Sequence, residues 1–270
     1  MANTGERKDV WAIGEAYELY VGRWSRPVAC EFLDWLALPS GRDWIDVGCG
    51  TGALSRTILD RAAPSSLAAV DPSEGFLAEA RRRVKDPRAA FHVGDARKLP
   101  VGDTVADAAV AGLVINFVPD RAAAIAEMRR ATRPGGTVAA YVWDYAGEMQ
   151  MMRRFWDAAV SLDPAAQALD EGRRFPDCRP DRLVELWRAA GLADAEARAI
   201  DIPTVFADFD DFWRPFLGGQ GPAPGYCMSL DEARRAALRE HIRANLPMAE
   251  DGTIPLIARA WAVRGTVRHP

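Results

Sequence analysis

The stretch DWIDVGCGTGALS, Asp43 to Ser55, runs from a short apolar segment through a glycine-rich turn into a helical pattern. Gly48, Gly50 and Ala53 satisfy the G-x-G-x-x-G/A spacing, in which glycines let the backbone approach a ligand at a helix N-terminus. Asp46 stands at the mouth of that turn and argues against a pyrophosphate there. Two unit charges about 4 Å apart repel by roughly 4 kcal/mol at an effective dielectric near 20. A ligand carrying an ammonium group reverses the sign. A glycine turn after a strand also serves plain strand–helix packing, so the stretch alone leaves both readings open.

Outward from the turn the pattern is regular. WIDV (44–47), SLAAVD (66–71), AAFHV (89–93), ADAAVAG (106–112) and GTVAAYVW (136–143) read as strands. Between them ALSRTILDRAA (53–63), SEGFLAEARRRV (73–84) and DRAAAIAEMRRAT (120–132) carry apolar residues at helical spacing. Pro119 suits a helix start, and RPGG (133–136) ends a helix ahead of a strand. Strand–helix alternation implies right-handed crossovers and a parallel sheet covered by helices on both faces. Ligands of such sheets sit at the carboxyl ends of the strands. After residue 143 the regularity breaks. MQMMRRFWDAAV (149–160) and DRLVELWRAAGL (181–192) are helical, and FPDCRP is loop. DAEARAIDIPTV (194–205) and IPLIARAWAVRGTV (254–267) look like two long strands around an insertion, 206–253, with a helix in SLDEARRAALREHIRANL. An aromatic-rich helical stretch, 16–38, precedes the first strand.

The second and third strands also end on acids. Asp71 closes LAAVD and can accept from ribose hydroxyls; Asp95 in HVGDARKLP can accept from an adenine amine. The bland alternatives are a helix cap at Asp71-Pro72 and an Asx turn at Asp95. An acid after each of three successive strands is not what a pyrophosphate cofactor asks for. S-adenosylmethionine asks for it, because its ammonium, ribose and adenine amine are all donors.

DVGCGTG, the VDPS after the second strand, the GDA after the third and RRATRPGG before the fifth resemble the motif series of class I S-adenosylmethionine-dependent methyltransferases. Within that superfamily the chain is similar to the small-molecule enzymes of ubiquinone and menaquinone biosynthesis. The resemblance spans about residues 42–143. It implies a Rossmann-like α/β fold, a seven-stranded, mostly parallel sheet with helices on both faces and the last strand antiparallel. It divides the chain into an N-terminal helical lid (1–41), a cofactor-binding core (42–205 with 254–270) and an inserted cap over the active site (206–253). It places Asp46 near the cofactor's amino group and Gly48, Cys49 and Gly50 under its methionine part. Asp71 goes to the ribose, with Pro72 and Ser73 beside the adenine. Asp95 and Ala96 go to the adenine edge, and Gly112 and Leu113 near the sulfonium. In the lid, Tyr17, Tyr20, Trp24 and Arg26 form an aromatic and cationic cluster: a tyrosine ring at the sulfonium, and Arg26 at the methionine carboxylate. The alternative there is an amphipathic helix packed into the core.

The expected reaction is in-line transfer of the methyl group to a small-molecule acceptor, leaving S-adenosylhomocysteine. Alignment alone supplies roughly 7–11 kcal/mol to such a step, so no catalytic triad is required. Asp144 and Tyr145, directly after the fifth strand, are the candidates for substrate contact, against a helix cap and a packing ring. Phe212, Trp213, Phe216 and Tyr226 of the insertion are candidate pocket walls, against core packing. His92, His241 and His269 read as packed, solvated and terminal. The competing functions are an NAD(P)-dependent oxidoreductase, through the formal glycine fingerprint, and a non-catalytic S-adenosylmethionine-binding protein.

Composition narrows the partners. The chain has 270 residues, 49% hydrophobic, with 38 acidic against 34 basic side chains. That balance disfavours a nucleic-acid partner. Four scattered cysteines have no metal-knuckle spacing and suit reduced thiols in the cytoplasm. No metal is expected, and no apolar run is long enough to span a membrane. The oligomeric state and the acceptor are not legible.

Overall fold

A computed structural model describes residues 18–219 and 221–269. A wide helical turn, Glu18–Gly22, leads into α1 (Arg23–Leu36). Then follow β1 (Asp43–Val47), α2 (Ala53–Arg61), β2 (Ser66–Asp71), α3 (Glu74–Arg83), β3 (Ala89–Val93), β4 (Ala106–Gly112), α4 (Arg121–Ala131) and β5 (Thr132–Trp143). The remaining elements are α5 (Gln150–Leu162), one-turn α6 (Glu171–Arg174), α7 (Pro180–Ala189), β6 (Ala193–Phe206), α8 (Phe209–Trp213), α9 (Pro222–Ser229), α10 (Glu232–Asn245) and β7 (Ile254–Thr266). Tyr17 and the rest of the expected lid before Glu18 lie outside the described residues.

Local chemistry sets the boundaries. Ser73 Oγ accepts from Phe76 N at 3.3 Å, and Glu74 and Arg81–Arg83 sit at the dipole ends of α3 that suit their charges. Asp120 accepts from Ala123 N at 2.9 Å and caps α4, so Pro119 lies ahead of the helix, outside its first turn. RPGG does not sit between elements. β5 starts at Thr132, and its pairing jumps from Ala106↔Thr132 to Ala108↔Thr137, leaving a bulge. Gly135 takes φ +77° there and donates to Val267 O at 2.8 Å; a Cβ on Gly136 would lie 2.7 Å from Asp107 O.

The sheet order is β3-β2-β1-β4-β5-β7-β6. β1 to β5 pair in parallel, β7 runs antiparallel to β5, and β6 runs antiparallel to β7. Only β7 therefore opposes the rest, as expected. The switch point falls between β1 and β4, where a ligand cleft belongs. β6 and β7 stay paired past the end of β5, from Asp201↔Arg259 to Phe206↔Ile254, so the insertion springs from beyond the carboxyl rim of the sheet. The central strands are buried on both faces, with Ala108, Val110, Val138 and Ala140 at 0% exposure.

The insertion forms a small aromatic core. Phe216 stacks on Phe155 of α5 at 4.4 Å between ring centroids, and Tyr20 packs edge-on to Phe216 at 5.8 Å. Arg23 of α1 pairs with Asp211 at 2.8 Å and lies over the rings of Trp24 and Phe206. The N-terminal helix and the insertion thus hold each other at one edge of the sheet.

Candidate functional site

A cavity of about 410 Å³ opens at the carboxyl ends of β1, β2, β4 and β5. That volume lies in the range of small-molecule pockets. Its floor is the turn quoted above. Gly48, Gly50 and Gly52 all adopt positive φ, which a side chain resists. A Cβ on Gly48 would lie 2.5 Å from Val114 Cγ2, whereas Gly50 faces open space. Asp71 fixes the turn by accepting from Gly50 N at 2.9 Å and from Ser73 N at 2.8 Å. The cap at the start of α3 and the glycine turn therefore share one carboxylate.

Asp46 is fully buried. Ser55 Oγ donates to its Oδ2 at 2.6 Å, and its Oδ1 has no hydrogen-bond partner. Burial pushes its pKa up to about 7, with the nearby Asp71 adding to the rise. A buried oxygen on a cavity wall without a donor is costly unless a ligand supplies one. Cys49 borders the same space, and burial and the two carboxylates hold its thiol protonated.

At the far end the wall is Val21, Leu113, Phe117, Trp143, Tyr145 and Met152, with one acid among them, Glu171. Glu171 is 2% exposed, and its Oε2 accepts from Trp156 Nε1. Burial raises its pKa to about 7. Its one-turn helix is held by neighbours. Asp170 caps it through Gly172 N at 2.8 Å and forks with Arg153 at 2.8 and 2.9 Å. Arg153 also donates to Tyr145 O at 2.9 Å. Among the described residues no Lys, Arg or His borders the cavity.

Several expected site residues meet here: Asp46, Gly48, Cys49, Gly50, Asp71, Pro72, Ser73, Gly112, Leu113 and Tyr145. Others do not. Asp95 and Ala96 lie off the wall, and Asp95 forms an ion pair with Arg97, whose guanidinium holds it well below its usual range. Arg26 is exposed and reaches Asp60 at 3.4 Å. Tyr20 is buried behind the wall, its hydroxyl without a partner. Asp144 turns back to accept from Glu148 N at 2.9 Å. Phe212, Trp213, Phe216 and Tyr226 pack on one another and on α5, because the insertion must bury its own apolar faces; among the described residues of the insertion, Pro222 reaches the cavity. Ser25, Phe76, Tyr141, Met152 and Glu171 also line the cavity, and no motif in the sequence marks them. The clue to Glu171 was Gly172, where a Cβ would lie 3.0 Å from Tyr145 O, but a single loop glycine is not a motif.

The family described as methyltransferase domain matches residues 45–140. A demethylmenaquinone methyltransferase of Roseiflexus sp. (strain RS-1) is 33% identical over 182 residues, 62% of this chain and 74% of that protein. The chain belongs to the class I S-adenosylmethionine-dependent methyltransferases. A malonyl-[acyl-carrier protein] O-methyltransferase of Serratia marcescens is 38% identical over 100 residues, but the match spans only 37% of that relative. A putative methyltransferase structure from Bacillus halodurans C-125 covers 89% of this chain at a TM-score of 0.60 and 13% identity, which is a likeness of fold. The protein is therefore an S-adenosylmethionine-dependent methyltransferase, and the oxidoreductase and purely binding alternatives fall away. The cavity suits this cofactor: Asp46 presents an unpaired oxygen for an ammonium, and a wall with carboxylates and, among the described residues, no basic side chain suits a ligand without phosphates. No helix among the described residues is long and apolar enough to cross a membrane.

Proposed function

We propose that the cofactor's amino group lies on Asp46 Oδ1, that its methionine part rests over Gly48, Cys49 and Gly50, and that Asp71 takes the ribose with Pro72 and Ser73 beside the adenine. Gly112 and Leu113 then flank the sulfur, and the acceptor occupies the space bounded by Trp143, Tyr145 and Met152. The observation that carries this reading is the orphaned Oδ1 of Asp46, buried on the wall of a cavity that, among the described residues, no Lys, Arg or His borders. Bound S-adenosylmethionine supplies an electrophilic methyl group. The chain's own task is to hold an acceptor in line with it and to keep water out; the apolar far wall serves both. Asp95, Ala96 and Arg26 have no part in this arrangement, and Asp144 supports a turn. The N-terminal helix and the insertion, 206–253, act as a cap.

The acceptor is a small molecule rather than a nucleic acid, in keeping with a net charge of −4. The two relatives above are named for acceptors as unlike as demethylmenaquinone and malonyl-[acyl-carrier protein], so their names do not choose one. Work in the cytoplasm is supported by four free cysteines. The protein supplied with methyl-labelled cofactor and a fractionated cell extract should place label in the small-molecule fraction. Label confined to nucleic acid, or none in any fraction, would sink the reading.

A further inference from the structure

We propose that Glu171 reads the acceptor: it admits an uncharged, ring-bearing molecule that presents an O–H or N–H to its carboxyl group and rejects a carboxylate of the same shape. This rests on the cofactor placement above and adds the class of the second substrate. Among the described residues Glu171 is the one carboxyl that borders the cavity besides Asp46 and Asp71, and Val21, Phe117, Trp143, Tyr145 and Met152 share its wall. Aromatic and thioether surfaces there favour a flat apolar body. Its carboxyl is the acidic group on this wall that can fix such a body in orientation.

The surroundings set the sign of the selection. Trp156 from α5 donates to Glu171 Oε2. Arg153, also on α5, has its charge taken up by the fork with Asp170. Arg174 on the same turn draws the Glu171 pKa down and Asp170 draws it up. From the N-terminal turn Tyr20 faces it, and from the segment after β5 Tyr145; the negative charge of Glu171 helps hold the Tyr20 hydroxyl protonated. Among the described residues no Lys, Arg or His from these elements borders the cavity, so an anionic acceptor at this end would meet Glu171 without a side-chain counter-charge. Repulsion of that kind is how a site excludes the wrong partner. Above pH 7 the carboxyl is largely ionised and the exclusion is in force; below it the group is neutral and the exclusion relaxes.

The test uses two probes of one shape, 2-naphthol and 2-naphthoate, titrated by calorimetry into the full-length protein saturated with S-adenosylhomocysteine. At pH 8 the wild type should bind naphthol at least tenfold more tightly than naphthoate. Glu171→Gln keeps the volume and a hydrogen-bonding group while removing the charge. It should cut that preference below about threefold, mainly by gaining naphthoate, with affinity for S-adenosylhomocysteine unchanged. The wild type taken to pH 6 should narrow its preference in the same direction, which answers the question even where the variant folds poorly. Equal binding of the two probes by the wild type at pH 8, a preference that survives Glu171→Gln, or binding of neither probe would each overturn the proposal. Failure of the wild type to bind S-adenosylhomocysteine at all would instead overturn the cofactor placement.

Discussion

Asp46 answers to two requirements that conflict in the free protein. As a ligand for an ammonium it must be charged, yet burial favours the neutral acid. Its pKa rises from near 3.8 when unfolded to about 7 when folded. The folded state therefore binds the extra proton, and stability falls as pH climbs from about 4 to 7. The penalty is on the order of 4 kcal/mol for a shift of this size. Urea denaturation of the ligand-free protein should show the midpoint falling between pH 4 and 7, and Asp46→Asn should lessen that fall, leaving the part that buried Glu171 contributes. A fall of the same size in Asp46→Asn and in the wild type would mean that Asp46 is solvated. The same variant should lose at least tenfold in affinity for S-adenosylhomocysteine while keeping its affinity for 5′-methylthioadenosine, which lacks the amino-acid part. Equal losses for both ligands would place Asp46 elsewhere on the cofactor.

At the scale of the element, the glycine turn separates two causes that a sequence cannot tell apart. Gly48 and Gly50 share a left-handed backbone, but only Gly48 is pressed, with Val114 Cγ2 2.5 Å from where its Cβ would be. Gly50→Ala should cost about 1–2 kcal/mol, the strain of a left-handed alanine. Gly48→Ala adds an overlap and should cost about 1–3 kcal/mol more, since the core beside β4 has no slack. Chemical denaturation of the two variants at one pH checks the order; equal costs would mean that Val114 moves freely. The strands were legible for a related reason. Parallel strands buried on both faces are near-continuous apolar runs, and their ends show as Gly and Asp. Asp46 and Asp71 were readable because each closes or nearly closes such a run. Asp95 follows the same rule, yet two residues on Arg97 pairs with it, and local pairing is invisible to spacing. Glu171 was unreadable for the opposite reason. It stands on a one-turn helix held by Arg153 and Asp170, a contact between distant parts of the sequence with no period of its own.

The whole molecule poses the question of how ligands enter a cavity whose wall includes residues of the N-terminal turn, α1 and the insertion. Val21, Ser25 and Pro222 border it, and the segments that carry them are tied together by Arg23–Asp211 and by Tyr20 against Phe216. Few backbone bonds join these segments to the sheet, whereas the glycine turn is bonded to β2 through Val70 O. Regions of that sort open with lower free energy than the core does. Cofactor binding should therefore slow amide hydrogen exchange in two places: at Gly48–Gly52, by direct contact, and across Glu18–Leu36 and Pro222–Ser229, by closing the cap. α10 stands apart from the wall and should exchange at the same rate with and without ligand. Slowing confined to the glycine turn would mean that the N-terminal helix and the insertion are fixed packing, not a cap. A uniform slowing that included α10 would report global stabilisation by mass action, with no motion assigned to either segment.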